Sequence, residues 1–193
     1  MIASTTQEVY QLKITLARSK PPIWRRIQVA SDTRLDDLSE IILASMGWGG
    51  YHLHQFIINE TYYGVPHPDY GEEMKDEASV TLEQLVPNEK QKFVYEYDFG
   101  DSWEHIVLVE KILPRKPDTT YPHCITGRRA CPPEDCGGIW GYAELLETLS
   151  DPDVPDHEEM DEWMGEDDFD PEAFDVAEVN ESLKHVDKHR WSI

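Results

Sequence analysis

Residues 92–113, KFVYEYDFGDSWEHIVLVEKIL, constrain the fold more than any other stretch of the chain. Phe93, Tyr95, Tyr97 and Phe99 recur with period two, so a strand here sends one face into a core. Gly100-Asp101 then reverses the chain, and glycine at the first central position predicts a two-residue type II′ loop. That loop sets the register: Phe99 pairs with Ser102, Asp98 faces Trp103 and Glu96 faces His105. Glu96, Asp98, Trp103 and His105 are therefore expected together on the face opposite the aromatic stripe. A carboxylate diagonal to an imidazole can orient the ring for proton transfer or hold a metal; a solvated cross-strand pair is the plainer alternative.

The remaining elements are read around this hairpin. Tyr10, Leu12, Ile14 and Leu16 alternate with polar residues as a first strand. After Pro21-Pro22 the alternation resumes, with Ile23, Ile27 and Val29 inward, so the two strands form an antiparallel ribbon. A helix follows, capped by Asp32 or Thr33, with Asp36 and Asp37 in its first turn. Leu35, Leu38, Ile41, Ile42 and Met46 form its core stripe before it stops at Gly47. Residues 51–59 read as a strand, Tyr62-Tyr63 as a short return, residues 64–78 as a surface loop, and Leu82 and Leu85 as one helical turn. Past residues 114–122, a connector, come helices over 143–149 and 157–164. A last helix carries the Val176, Val179 and Leu183 stripe, with Asp170-Pro171 as its start and Phe169 and Phe174 docking it. The fold class that follows is α+β: a mixed, partly curled sheet of about five or six strands, mostly antiparallel hairpins, with helices packed on it. Residues 1–150 form the core domain and 151–193 an acidic helical extension packed on the same domain.

Two further stretches carry chemistry. His52 and His54 stand two apart on the strand over 51–59, a simple way to offer two imidazoles to one metal, although half-buried strand histidines often serve only packing. Residues 121–142, YPHCITGRRACPPEDCGGIWGY, hold Cys124, Cys131 and Cys136 with gaps of six and four residues. Only the Cys131/Cys136 gap approaches a zinc knuckle, so thiolates completing a zinc site with distant histidines stand beside buried structural cysteine as alternatives. The glycines and Pro132-Pro133 of this stretch imply an ordered loop with special backbone angles.

Charge narrows the function classes. The formal net charge is −22, and residues 130–183 hold 19 acidic side chains with no Lys or Arg. Phosphate neutralisation by basic residues drives non-specific nucleic-acid affinity, so such binding is excluded as a default role. No run approaches the ~18 apolar residues of a membrane span, the first residues lack a leader pattern, and three cysteines cannot all pair in one chain. These features predict a cytoplasmic protein without membrane partners.

Taken in order, HLHQF at 52–56, YEYDFGDSWEH at 95–105, CITGRRACPPEDCGGIWGY at 124–142 and FDPEAF at 169–174 resemble the plasmid pRiA4b ORF-3-like family, as does the opening YQLKITLARSKPPIWRRIQV. The resemblance implies an α+β domain with a mixed, partly curled sheet. It also implies His54, Asp98, Asp101, His105, Cys124, Cys131, Glu134 and Asp135 as motif residues. Members occur on plasmids, near mobile elements and as chromosomal orphans, and some carry a resolvase-like label. Recombination needs a nucleophile among several arginines and a basic DNA-binding region, which this chain lacks, so recombinase activity is not expected.

The leading expectation is a non-enzymatic binding or accessory protein for a protein or small-molecule partner. Its recognition surface combines the hairpin face, the His52/His54 strand and the cysteine loop. The alternative is a metal-dependent hydrolase with His54, Asp98 and His105 as ligands. Metal candidates are then His52, His54, Asp98, His105, Cys124 and Cys131, holding zinc or manganese, with Glu96, Asp101, Glu134 or Asp135 as catalytic base.

Overall fold

A computed structural model of the chain describes residues 8–66, 74–151, 153–155, 157, 164 and 169–186. Its strands are β1 (Glu8–Leu16), β2 (Trp24–Ala30), β3 (His54–Ile58), β4 (Thr61–Gly64), β5 (Lys75–Asp76), β6 (Lys92–Tyr97), β7 (Trp103–Pro114) and β8 (His123–Arg128). The helices are α1 (Leu35–Met46), α2 (Leu82–Leu85), α3 (Gly138–Ser150) and α4 (Val176–Lys184), with a 3-10 turn at Glu77–Ser79. All eight strands form one open sheet in the order β5-β4-β3-β6-β7-β1-β2-β8. Every pair is antiparallel except β4 with β5, so the fold is α+β with a mixed sheet, larger than the five or six strands expected.

Register explains why one face is the core. Residues opposite one another across a ladder share a face. Leu16 opposes His105, His105 opposes Tyr95, and Tyr95 opposes Phe56, which makes one inward row across four strands. All four residues are essentially inaccessible to solvent. Helix α1 covers this face, and the Ser39 hydroxyl meets the Tyr95 hydroxyl at 2.9 Å. The other face is polar: Arg26 makes a two-pronged contact with Glu110, Gln11 donates to the same carboxylate, and Lys13 and Arg26 lie over Trp24. An antiparallel sheet covered on one side only has this division.

The central hairpin differs from expectation. Its loop is five residues long, 98–102, and Tyr97 pairs with Trp103, Tyr95 with His105 and Glu96 with Glu104. Asp98 and Ser102 hold the positive φ angles, 57° and 53°, and Ser102 N–H donates to the Asp98 carbonyl at 2.6 Å. The shift of one residue moves Trp103 and His105 onto the aromatic stripe and leaves Phe99 outside it. Packing decides this. A two-residue loop would oppose Tyr97 to Glu104 and drive that carboxylate into the core, whereas the observed register buries Trp103, His105, Val107 and Val109.

Other boundaries move for local reasons. Helix α1 starts without a side-chain cap at Arg34, because Leu35 N–H reaches the Val80 carbonyl instead of Asp32 or Thr33. It ends at Gly47 in the left-handed region, as expected. Residues 123–128, read as part of a loop, form the edge strand β8 on β2. Helix α4 begins after Asp175, which caps Ala177 N–H at 2.6 Å, rather than after Asp170. It packs on α1 and β8, sends Leu183 into the core, and exchanges two hydrogen bonds between Asn180 and the Cys124 backbone. Phe174 lies under the buried Arg25 guanidinium, and Phe169 meets Tyr142 edge-on. The helix expected over 157–164 falls mostly outside the described residues. No described helix is long and apolar enough to cross a membrane.

Candidate functional site

Three segments meet at one end of the sheet: residues 47–53 after α1, the hairpin loop 98–102, and residues 131–138 ahead of α3. Trp48 anchors the first. Its ring stacks on Tyr97 with centroids 5.5 Å apart, also touches Trp103 and His105, and its Nε1–H donates to the Pro132 carbonyl at 2.8 Å. The buried Tyr97 hydroxyl is the junction. It accepts from Tyr51 N–H at 3.0 Å and donates to Glu134 at 2.6 Å, while the second Glu134 oxygen accepts from Gly49 N–H at 2.8 Å. Burial, and then Glu134 as acceptor beside it, push the Tyr97 phenol pKa up. Asp101 joins the hairpin tip to the third segment by accepting from Gly137 N–H at 3.1 Å.

Close backbone packing fixes this junction. Gly138 has φ +69°, and a Cβ there would stand 2.4 Å from the Asp101 carbonyl oxygen. A Cβ on Gly141 would lie 1.9 Å from the Cys136 carbonyl oxygen. Both positions admit only glycine without backbone movement.

On the outer side of the junction, His52 stands between two aspartates. Its Nε2 lies 3.2 Å from Asp135 Oδ1 and its Nδ1 3.8 Å from Asp98 Oδ2. The ligating atoms of His52, Asp98 and Asp135 all lie within 4.8 Å of one another, the one grouping of this kind among the described residues. The set is open to solvent, with side-chain exposures of 31%, 13% and 69%. Asp135 has φ +60°, so an uncommon backbone angle presents its carboxylate. Tyr51, Leu53 and Phe99, all exposed, flank the cluster on the segments that carry His52 and Asp98. Chemically, one imidazole and two carboxylates offer hard and borderline donors suited to manganese or zinc.

The other sequence candidates have separate environments. His54 shares the inward face of β3 with Phe56, and its Nε2 meets the buried Glu77 carboxylate at 3.0 and 3.1 Å. His105 is wholly buried; its Nδ1 faces the Tyr95 carbonyl at 3.3 Å, its Nε2 has no hydrogen-bond partner among the described residues, and burial pushes its pKa down to about 4. The set His54, Asp98 and His105 therefore does not assemble into one coordination shell. Glu96 accepts from Gln55 and Ser102 at 2.7 Å each.

The cysteines do not meet these imidazoles in any three-donor grouping among the described residues, and all three are free thiols. Cys131 is held between Arg25 and the Met46 sulfur, each at 3.2 Å, and burial pushes its pKa up to about 11. Burial, with Asp101 and Asp135 adding to it, takes Cys136 to about 12; burial also raises Cys124. Arg25 is buried rather than solvated. It donates to the Ser45, Trp24 and Arg128 carbonyls, and its parity with Ile23 and Ile27 is the signal that marks it as inward-facing.

The family profile described as plasmid pRiA4b ORF-3-like protein matches residues 8–178, and the chain belongs to that family. It is 38% identical over 184 residues to the uncharacterized protein y4hQ of Sinorhizobium fredii, covering 95% of this chain and 92% of that one. The crystal structure of MM3350 from Methanosarcina mazei, a protein of unknown function, is similar at 41% identity and a TM-score of 0.81. The match covers 91% of this chain and 98% of that one.

Proposed function

We propose that this member of the plasmid pRiA4b ORF-3-like family is a non-enzymatic binding protein whose recognition surface is organised by a divalent cation on His52, Asp98 and Asp135. The observation that carries the reading is the convergence of these three donors, from three different segments, within 4.8 Å. A cation would replace the weak mutual contacts of the trio with bonds of about 2 Å and tie the three segments together. Exposed Tyr51, Leu53 and Phe99 around the donors supply apolar area for a protein or small-molecule partner.

Binding is favoured over hydrolysis by what surrounds the trio. A hydrolase needs a proton acceptor within reach of a metal-bound water. Glu134 is committed to Tyr97 and Gly49, Glu96 to Gln55 and Ser102, Asp101 to Gly137, and His105 lies in the core. The acidic carboxy-terminal third opposes a nucleic-acid partner.

The test is titration of metal-stripped protein with manganese and zinc ions, followed by calorimetry, on the wild type, His52→Ala and Asp135→Asn. One equivalent bound by the wild type, with at least tenfold weaker affinity in both variants, supports the reading. Absence of stoichiometric binding, or unchanged affinity in His52→Ala, rejects it.

A further inference from the structure

The polar outer face of the sheet, opposite α1, is crossed by one apolar row. Tyr62 opposes Ile57, Ile57 opposes Val94, Val94 opposes Ile106, Ile106 opposes Thr15 and Thr15 opposes Trp24, so the row spans six strands from β4 to β2. A strand face turned to water ordinarily carries polar side chains. Here Tyr62 and Ile106 are 41% and 42% exposed, and Ile57 and Val94 between them are part-exposed and outside the core. Lys13 and Arg26 lie over Trp24 at one end, which leaves Val94 and Ile106 as the open centre of the row.

The rows on either side carry opposite charge. Toward the hairpin loop, Gln55 opposes Glu96 and Glu96 opposes Glu104; on the other flank, Lys92, Leu108, Lys13 and Arg26 oppose one another in turn. Glu104 and Arg26 have partners on the same chain, Arg18 and Glu110. Glu96 accepts from the neutral donors Gln55 and Ser102, and neither it nor Lys92 makes an ion pair among the described residues. The sheet edges offer no comparable surface for association. Asn180 occupies the N–H and the carbonyl of Cys124 on β8, and β5 at the opposite edge is two residues long.

We infer that this face binds a second copy of the chain, sheet on sheet, about a two-fold axis running along the apolar row. Such an axis lies between the two faces and sets the row on its own counterpart while it exchanges the flanks, so the acidic side of one copy covers the basic side of the other. Strand order is kept along the axis, so Glu96 of one copy comes opposite Lys92 of the second on the same strand, β6. The middle strands of the six are β6 and β7, where the roughly 30° angle between packed sheets displaces facing residues least. An axis along the strands would instead set the two acidic flanks on each other. The three rows come from residues 13–108, whereas the acidic surplus of the chain lies in 130–183 and does not oppose this contact. His52, Asp98 and Asp135 are outside the rows, so the association needs no cation.

The experiment is sedimentation equilibrium of the full chain at moderate salt, on the wild type, Ile106→Glu, Lys92→Glu and Glu96→Lys. The wild type is expected to dimerise with a Kd of about 10 μM or tighter. Ile106→Glu, at a side chain exposed in the single chain, should weaken the dimer at least tenfold. Lys92→Glu and Glu96→Lys should each weaken it about three- to tenfold. An equimolar mixture of these two variants should form a heterodimer within about threefold of wild-type affinity, because each chain supplies the charge that the other has lost. Amide shifts between dilute and concentrated wild type should centre on Ile57, Val94 and Ile106, a readout that does not depend on any variant folding. The inference is overturned by a wild type that stays monomeric at about 100 μM, or by a dimer that a folded Ile106→Glu leaves intact. It is also overturned by a mixture no tighter than either variant alone, or by shifts centred elsewhere.

Discussion

Replacing Glu134 by alanine tests whether the three-segment junction is held as described. The substitution removes two acceptors at once. Gly49 N–H is exposed and can turn to water, so its loss contributes little. Tyr97 is buried, and its hydroxyl loses the acceptor it donates to. A hydrogen bond to a charged group contributes about 1.5–3 kcal/mol, and a buried donor left unpaired costs about as much. Glu134→Ala is therefore expected to destabilise by about 2–3 kcal/mol. For a chain of this size that is a fall of roughly 5–10 °C in Tm. Glu134→Gln keeps one acceptor for Tyr97 at neutral strength and should lose about 1 kcal/mol. The assay is urea denaturation of the wild type, Glu134→Ala, Tyr97→Phe and the double variant, giving the coupling between the two side chains. Coupling of at least 1 kcal/mol is expected. Additive single effects would refute the junction, because the hydroxyl and carboxylate would then not be acting on each other.

Two further outcomes follow from buried titratable groups. The folded His105 pKa of about 4 lies below its ordinary 6.5, so between those values the unfolded chain binds the extra proton. The stability tied to neutral His105 is thus full above pH 6.5 and is lost as pH falls toward 4, by about 3 kcal/mol in all. Denaturation at pH 7.5 and 4.5 should show a smaller loss in His105→Gln than in the wild type; equal losses would remove His105 as the cause. For the thiols, Cys131 at about 11 and Cys136 at about 12 leave almost no thiolate at pH 7.5. Iodoacetamide labelling followed by mass spectrometry should run at least tenfold slower on the folded chain than in denaturant, and rapid labelling of either residue would contradict their raised thiol pKa values.

The register of the central hairpin is written in the sequence on both of its strands. Trp103, His105, Val107 and Val109 alternate as regularly as Phe93, Tyr95 and Tyr97. Matching those two stripes across one face requires a loop with an odd number of residues, here five, and places His105 in the core. Reading the turn from Gly100-Asp101 alone gave local chemistry precedence over burial. Arg25 is a similar case, since its parity with Ile23 and Ile27 points it inward. The partners that make a buried guanidinium tolerable come from α1, β8 and Cys131, which no spacing along the chain connects.

Local pattern by itself determined the α+β class, the β1–β2 ribbon, the stripe and Gly47 stop of α1, and the family to which the chain belongs. These depend on residues within a turn or two of one another, where steric preference and periodic burial act directly. Only the tertiary structure decided which imidazole meets which carboxylate. His54 went to Glu77 and His105 to the core, and His52 met Asp98 and Asp135, from segments 46 and 83 residues away along the chain. Such partnerships are set by strand register and by the packing of Trp48, Tyr97 and the Gly138–Asp101 contact. A one-residue change in that register would send every side chain of a strand to the opposite face.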